Sequence, residues 1–245
     1  MMANWYWKVF LAVPGGSYSS YLQWMISAWG WTVSVAVCSM MVALPLGSVI
    51  GIAQSLNLRL LNAISQSWIE LFRNIPLILQ VFLWYQVMPV LIPSLQRVPN
   101  FALIVAALGL YTSARIAVQV FSGIRALPHG QKSAGLALGL STAQCYWYVV
   151  MPMAYRIILP ALTTEMMSII KNSSVAFAVS IGELTMFAMQ AQEETGHGVE
   201  IYLAVTALYT VSAFSVNRLM RFIEQRTQIP GSVSQNTRGV VGATH

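Results

Sequence analysis

Hydrophobic residues in this chain are gathered into long stretches that short polar segments separate. Between Val9 and Leu58 there is no charged side chain, whereas a water-facing surface of that length normally carries several. A membrane-spanning helix needs about 20 apolar residues, because lipid offers the backbone no hydrogen-bond partners. The uncharged stretch therefore predicts a spanning helix over about residues 22–55, longer than one bilayer crossing requires.

Further apolar stretches are long enough to cross a membrane and are also predicted as helices. They cover about residues 75–92, 101–124, 157–181 and 201–222. The polar segments between these spans predict a loop at 57–62 and a turn at 93–100, and residues 183–200 form a polar, acidic stretch.

Residues 133–155 are ambiguous, since they carry no charge and could form a sixth span. If they stay in the cytoplasm, the N-terminus lies outside, and Lys8, Arg97 and Lys171 lie outside with it. The inner side then holds Arg59, Arg73, Arg125, Lys132, Arg156, Arg218, Arg221, Arg226 and Arg238. A sixth span would move four of these cations outside, against the positive-inside rule.

The fold class predicted is therefore an all-α membrane protein with about five transmembrane helices. Its N-terminus is outside, its C-terminus is cytoplasmic, and residues 125–155 form a long cytoplasmic loop of short helices. Within this loop Gly139 is expected to end a short helix, and the apolar-aromatic run at 146–150 is expected to anchor the second part of the loop to the bundle. A loop of that length inside a compact domain is usually functional.

Composition supports this prediction and narrows the function classes. Hydrophobic residues make up 57% of the chain and charged residues only 8%. The net charge of +6 is expected to set topology and does not indicate a nucleic-acid partner. Cys38 and Cys145 suggest no disulfide or metal site, His129, His197 and His245 are too scattered for a metal, and no cofactor or catalytic residue is expected.

The domain prediction is a single membrane domain over residues 21–226. Residues 1–20 are predicted to be an extracytoplasmic segment that is not a cleavable signal, because Pro14, Gly15 and Gly16 interrupt it. Residues 227–245 are polar and are predicted to be a disordered cytoplasmic tail.

Arg115 is the most informative residue for a substrate, because it lies in the middle of a predicted span together with Thr112. A charge at that depth marks a substrate pathway or one half of a buried pair. A guanidinium group in a dry cavity can bind a carboxylate through two hydrogen bonds. The alternative is an ion pair with Glu165 of the following span, which could instead hold a substrate ammonium group.

Two polar groups have similarly open interpretations. Lys171, Asn172 and Ser173 follow an apolar stretch, where hydroxyl groups could satisfy a broken helix beside a cavity. Alternatively, the helix ends there and the lysine extends to the outer interface. Glu193, Glu194 and Glu200 are predicted to form a solvated outer surface, or else a docking patch for an extracytoplasmic protein.

The long loop carries a motif with a recognisable family resemblance. Gly130, Gln131, Ala134, Ala137 and Gly139, continued by Leu140-Ser141 and by a Met-Pro-x-Ala-Tyr-Arg block at 151–156, resemble the coupling loop of ABC-importer permeases. Three further blocks match the polar amino acid branch in order. They are Glu-Leu-Phe-Arg-Asn-Ile-Pro-Leu-Ile-Leu-Gln at 70–80, Lys-Asn-Ser-Ser-Val at 171–175 and Ile-Gly-Glu-Leu at 181–184.

The resemblance implies a permease subunit in a bacterial inner membrane that hydrolyses no ATP itself. The implied partners are a cytoplasmic ATP-binding subunit docked on the loop, a second and different permease chain, a periplasmic amino-acid-binding protein and membrane lipid. The chain carries no Walker A motif, which agrees with ATP hydrolysis in a partner. Arg73, Pro76 and Gln80 are the candidates for a cytoplasmic gate, although Arg73 could simply extend to the inner interface.

The sequence departs from this family at a few positions. Ser133 replaces the usual Glu of the loop, which puts an acid-mediated ATPase contact in doubt, although a serine there could still cap a helix. Gly135 replaces the usual Ala, and Val118 and Phe121 stand where relatives often carry an acid and a base.

The Thr-x-Ala-Arg block at 112–115 resembles the glutamate/aspartate subgroup, so acidic amino acids are the expected substrates. Glutamine or another polar amino acid is the alternative substrate, and an ATP-independent channel or carrier, or a scaffold subunit, is the alternative class.

Overall fold

The computed structural model describes residues 5–56 and 58–227. The polar tail predicted at 227–245 therefore lies almost wholly outside the described residues, as does Asn57. The described residues form no strand and eight main helices, in agreement with the all-α prediction. They are α1 (Tyr21–Ser55), α2 (Arg59–Asn74), α3 (Leu77–Leu91), α4 (Asn100–Arg125), α5 (His129–Ala137), α6 (Thr142–Val179), α7 (Leu184–Thr195) and α8 (Gly198–Thr227), with short 3-10 helices at Trp7–Leu11 and Pro93–Arg97.

Helices α1, α4, α6 and α8 are long and apolar enough to cross a membrane. Helices α2 and α3 qualify only as a pair, and they are bent by 103° where they meet. The described residues thus contain four spans, or five if the bent pair counts as one, which agrees with the predicted number. Which end of each span faces the cytoplasm stays a prediction.

The second predicted span is wrong in its boundaries, because an amphipathic helix precedes it. Helix α2 begins at Arg59, inside the predicted loop. Its polar face lowers the mean hydropathy of the segment, so a search for long apolar stretches does not detect it. The break falls where a proline requires it, since the residue before a proline is disfavoured in helical conformation. Ile75 is accordingly extended, with φ −92° and ψ 128°, and Pro76 precedes α3.

The predicted loop at 125–155 is half right. Helix α5 ends at the predicted glycine, since Gly139 has φ +86°. The Gly139 N–H donates to the Leu136 carbonyl, and the Leu140 N–H donates to the Gly135 carbonyl. This pair of bonds is the Schellman arrangement that favours glycine at a helix end. From Thr142 onward, however, the chain enters α6 directly, so these residues are not a separate surface segment.

The start of α6 stays helical because it has both a cap and a buried face. Ser141 caps the helix reciprocally with Gln144, each side chain bonding the other residue's backbone N–H. Tyr146 and Val150 are buried against Ile52 of α1 and other residues of this end of the bundle. This contact anchors the segment to the bundle, as its aromatic composition predicts.

The polar, acidic stretch at 183–200 is largely helical and partly buried. Helix α7 occupies most of it and buries Leu184, Phe187, Ala188 and Ala191. These residues recur at helical spacing and therefore form one apolar face. They pack with Tyr21 at the beginning of α1 and with Ile201 near the beginning of α8, in one core cluster.

Helices α1 and α4 share the most extensive contact among the described helices, and glycines of α1 allow their backbones to approach closely. A Cβ atom on Gly47 would lie 2.6 Å from the Ser113 carbonyl oxygen, and one on Gly51 would lie 2.6 Å from that of Ala117. Small residues allow helix backbones in a membrane to approach in this way. The two glycines thus fix the separation of α1 and α4.

We predict that Gly47→Ala destabilises the protein, because the added methyl group must push two backbones apart. Overpacking of this kind costs about 1–3 kcal/mol. The matched control is Gly30→Ala on the same helix, where a Cβ meets nothing within 4 Å and helix propensity slightly favours alanine. Thermal unfolding of the purified protein in detergent should show a lower midpoint for Gly47→Ala alone. Equal midpoints for the two variants would contradict the prediction.

Candidate functional site

The centre of the bundle holds an ion pair between α4 and α6. Arg115 donates from Nε to Glu165 Oε2 over 2.8 Å and from Nη2 to Glu165 Oε1 over 3.0 Å. Gln119, one turn further along α4, also donates to Glu165 Oε1, over 3.1 Å. The sequence left open whether Arg115 pairs with Glu165 or binds a substrate, and the structure brings the pair together. A substrate role for Arg115 stays a prediction.

The two partners of this ion pair differ in exposure. The Arg115 side chain is 39% exposed, whereas the Glu165 side chain is only 6% exposed. The carboxylate therefore depends on its protein donors, while the guanidinium group remains accessible from outside the chain. Thr112, also predicted to line the pathway, is buried one turn before Arg115.

Helix α2 packs beside this pair on α4. Trp68 donates from Nε1 to the hydroxyl group of Ser113 over 3.2 Å, and Ser113 donates in turn to the Leu110 carbonyl. Because Ser113 is two residues from Arg115, this bond joins α2 to the part of α4 that carries the ion pair.

The second predicted polar group lies at a change of helix type within α6. The α-helix ends at Asn172, and a 3-10 helix covers Ser173–Val179. Ser173 is buried, and its hydroxyl group donates to the Ile170 carbonyl over 2.7 Å. Lys171 is exposed and lines a cavity of about 200 Å³ that also contacts Tyr209. The two neighbours therefore differ in environment. The Ser173 side chain is buried and bonds its own helix backbone, whereas the Lys171 side chain is exposed beside a cavity.

The three gate candidates lie at the bend between α2 and α3. Gln80 is buried, and its amide nitrogen donates to the carbonyl oxygens of Phe72 (2.8 Å) and Ile75 (2.9 Å). Pro76 lies at the break itself, and Arg73 is exposed in the last turn of α2. Gln80 thus supplies donors to carbonyls that the broken helix leaves without helical partners.

The residues of the predicted coupling loop are mostly on the surface of α5. Gly130, Ser133 and Ala134 are exposed, and Gln131 is partly buried. Gly135 is buried. It packs closely against Cys145, since a Cβ atom added to it would lie 2.9 Å from the Cys145 sulfur. The suggestion that Ser133 caps a helix is wrong, since Pro128 precedes the first residue of α5 and Ser133 lies inside the helix.

A buried carboxylate group, for which the sequence predicted no role of its own, lies at the start of α7. Glu183 accepts hydrogen bonds from the backbone N–H groups of Thr185 and Met186, each 2.9 Å, and from the Tyr209 hydroxyl group, 2.7 Å. The Leu184 N–H donates to Thr32 of α1. The available signal was an acidic residue directly before an apolar helical period, which is typical of an N-cap.

The three glutamates of the predicted acidic patch differ in exposure. Glu193 and Glu194 are exposed, but Glu200 is buried and accepts a hydrogen bond of 2.9 Å from the Tyr6 backbone N–H. The prediction that all three are solvated is therefore wrong for Glu200, because the N-terminal segment covers it.

Comparison with known proteins gives consistent matches along the chain. A family model described as "Binding-protein-dependent transport system inner membrane component" matches residues 43–229. The glutamate/aspartate import permease protein GltJ of Escherichia coli (strain K12) is 34% identical, over 95% of this chain and 99% of GltJ. The glutamate transport system permease protein GluD of Corynebacterium glutamicum is 32% identical, over 81% of this chain and 72% of GluD.

A solved structure shows the same fold. The "Crystal structure of an amino acid ABC transporter with histidines" contains a chain that superposes with a TM-score of 0.73 and 28% sequence identity. The match covers 84% of this chain and 95% of that one.

We predict that Gln80→Leu destabilises the bend between α2 and α3. The variant leaves the Phe72 and Ile75 carbonyls without their donor, and an unsatisfied buried polar group costs about 1–3 kcal/mol. The control is Gln96→Leu, which removes one exposed bond to the Pro89 carbonyl. Thermal midpoints in detergent should fall by several degrees for Gln80→Leu and stay near wild type for Gln96→Leu. An equal fall in both variants would show that Gln80 has no special role at the bend.

Proposed function

The chain belongs to the binding-protein-dependent transport system inner membrane components, and on that premise we propose that it is the permease subunit of an ABC importer for glutamate and aspartate. The family match and the nearly full-length similarity to GltJ support the amino-acid permease. The observation that carries the acidic substrate is Arg115, a partly exposed guanidinium group in a spanning helix.

The proposed mechanism uses the ion pair of Arg115 and Glu165 as the resting state of a binding site. A substrate side-chain carboxylate can take the place of Glu165 on the guanidinium group, through the same bidentate geometry. The released Glu165 then accepts the substrate ammonium group, with Gln119 beside it. An exchange of this kind pairs the side-chain carboxylate and the ammonium group of the substrate, as a site of low dielectric constant requires. The α-carboxylate of the substrate must then be bound by other groups of the pathway.

We place the N-terminus outside, residues 21–226 in the permease domain and the C-terminus in the cytoplasm of a bacterium, with the chain in its inner membrane. This orientation puts the end of the bundle that carries Arg125, Lys132 and α5 on the inside. It puts Lys8 and α7 on the outside, in keeping with the positive-inside rule.

The proposed partners follow from this orientation. A cytoplasmic ATP-binding subunit docks on the exposed surface of α5 and hydrolyses the ATP. A periplasmic amino-acid-binding protein delivers substrate to the outer end, and a second, different permease chain completes the pathway. Conformational change in the ATP-binding subunit reaches the spans through α5, whose position Gly139 and the capped start of α6 fix.

Two other interpretations predict different behaviour. An ATP-independent channel or carrier needs no docking surface on α5, so changes there should leave transport intact. An importer of glutamine or another polar amino acid needs no exposed cation in the pathway, so Arg115 should then act only as the partner of Glu165.

We predict that this chain restores uptake of labelled glutamate in cells that lack its gene. Excess unlabelled aspartate should block the uptake, whereas glutamine, arginine and histidine should not. Competition by glutamine or arginine would keep the importer but overturn the acidic substrate class.

The same assay separates the two roles of Arg115. Arg115→Gln should lower glutamate uptake at least about tenfold, the loss expected for one charge-assisted hydrogen-bond pair. Glu165→Gln should retain more uptake, because it frees Arg115. The double variant Arg115→Gln/Glu165→Gln is decisive: a purely structural pair would be rescued when both charges are removed, whereas a substrate site stays inactive. Protein levels in the membrane fraction control for folding.

We also predict that Ala134→Arg uncouples transport from ATP hydrolysis, because a bulky cation on the exposed face of α5 blocks close docking. The ATP-binding subunit should co-purify less, and uptake should fall. The control is Gln192→Arg, an exposed residue of α7 at the other end of the bundle. Unchanged co-purification and uptake in Ala134→Arg would remove α5 as the docking site.

A further inference from the structure

A cavity lies at the end of the bundle where α1 and α4 both terminate. Its volume is about 620 Å³, and its lining includes Ser55 of α1, Arg125 of α4 and residues of α5. Cavities that hold small molecules measure about 300–1,000 Å³. The cavity is therefore large enough for a small ligand or a lipid headgroup, and α5 forms one of its walls.

The cavity is cationic. Arg125 and Lys132 line it, and no acidic residue does so within the described part of the chain. Neither cation has a carboxylate partner among the described residues. Each lies over an aromatic ring instead, Arg125 over Phe121 at 5.5 Å and Lys132 over Tyr146 at 5.1 Å. Two cations without carboxylate partners favour an anionic ligand.

The cavity also contains acceptors that lack donors. Gln54 and Gln131 both line it, and the side-chain oxygen of each is buried without a hydrogen-bond partner among residues 5–56 and 58–227. Buried polar atoms in folded proteins are normally paired, so an unpaired atom needs an explanation. A ligand that fits must therefore carry hydrogen-bond donors as well as negative charge.

The position of the cavity indicates where that ligand comes from. Spans α1 and α4 both end at it, so it lies at the end of the bundle that the orientation proposed above places at the cytoplasmic face of the membrane, and this step rests on that proposed orientation. Trp147 and Tyr148, close in sequence to the lining residue Val150, are 73% and 66% exposed. Exposed Trp and Tyr side chains concentrate at the depth of lipid headgroups.

We propose that this cavity binds the headgroup of an anionic phospholipid. The phosphate group lies between Arg125 and Lys132, and headgroup hydroxyl groups donate to the side-chain oxygens of Gln54 and Gln131. Basic pockets between spans on the inner side of a membrane suit such headgroups. Because α5 is one wall of the cavity, a bound lipid holds α5 against the bundle.

Native mass spectrometry of the full chain tests this proposal. The purified protein is mixed with equal amounts of phosphatidylglycerol and phosphatidylcholine that have the same acyl chains, and retained lipid is counted. Phosphatidylglycerol should be retained at least about fivefold over phosphatidylcholine, as expected when cations meet an anionic headgroup. The double variant Arg125→Gln/Lys132→Gln should bring this ratio close to one.

The matched control is Arg226→Gln. Arg226 also lies over an aromatic ring, that of Phe222 at 5.0 Å, but it does not line the cavity, so its variant should keep the wild-type ratio. Gln54→Leu keeps both cations and should weaken the preference for phosphatidylglycerol over phosphatidic acid, which lacks the headgroup hydroxyl groups. This variant also supplies the test if the double variant does not fold.

Several results would overturn the proposal. One is a phosphatidylglycerol-to-phosphatidylcholine ratio near one in the wild-type protein, and another is a double variant that keeps the wild-type ratio. A third is a Gln54→Leu variant that keeps the wild-type preference for phosphatidylglycerol over phosphatidic acid. Full displacement of phosphatidylglycerol by millimolar inorganic phosphate would assign the cavity to a soluble anion instead. A loss of the co-purified ATP-binding subunit with no change in lipid ratio would assign Arg125 and Lys132 to protein docking.

Discussion

The fold depends on one constraint, that a backbone in lipid must find its hydrogen-bond partners within the protein. Uninterrupted helices meet this constraint by themselves, and at three places in the described part of the bundle where a helix breaks, changes type or begins, a side chain supplies the missing partner. The Gln80 amide group bonds the carbonyls at the bend between α2 and α3. The Ser173 hydroxyl group bonds the Ile170 carbonyl where α6 becomes a 3-10 helix. Glu183 accepts from the first N–H groups of α7.

The same constraint explains which polar residues are buried. A charge or amide group inside the bundle is stable only if its partners are in place. Glu165 has Arg115 and Gln119, and Glu183 has two backbone N–H groups and Tyr209. These clusters differ in exposure: Glu183 is enclosed on all sides, whereas Arg115 is open on one side. That difference is the reason why we assign Glu183 to the stability of the fold and propose Arg115 as the group that exchanges partners with a substrate.

Local patterns predicted the long spans, the glycine end of α5 and the anchoring of Tyr146 and Val150, because each depends on neighbours in sequence. The pairing of Arg115 with Glu165 was foreseen as an alternative, since few charges lie at that depth. Helix α2 was missed because its polar face lowers the mean hydropathy of the segment below that of the spans. The role of Glu183 was missed because its network includes Thr32 and Tyr209, and Thr32 is 152 residues from its partner Leu184. Separations of that size leave no periodic signal in a sequence.

The glycine contacts between α1 and α4 have a consequence for motion. Backbones that touch at Gly47 and Gly51 cannot rotate or slide past each other without a steric clash. We therefore expect these two spans to move together as one rigid unit. The positions where the bundle can bend must then lie elsewhere. They are the helix breaks, where one or two side-chain hydrogen bonds replace the regular backbone hydrogen bonds of a helix. Any change of shape during transport would then take place around α1 and α4, and Arg115, which lies on α4, would keep its position relative to α1 while the other helices move.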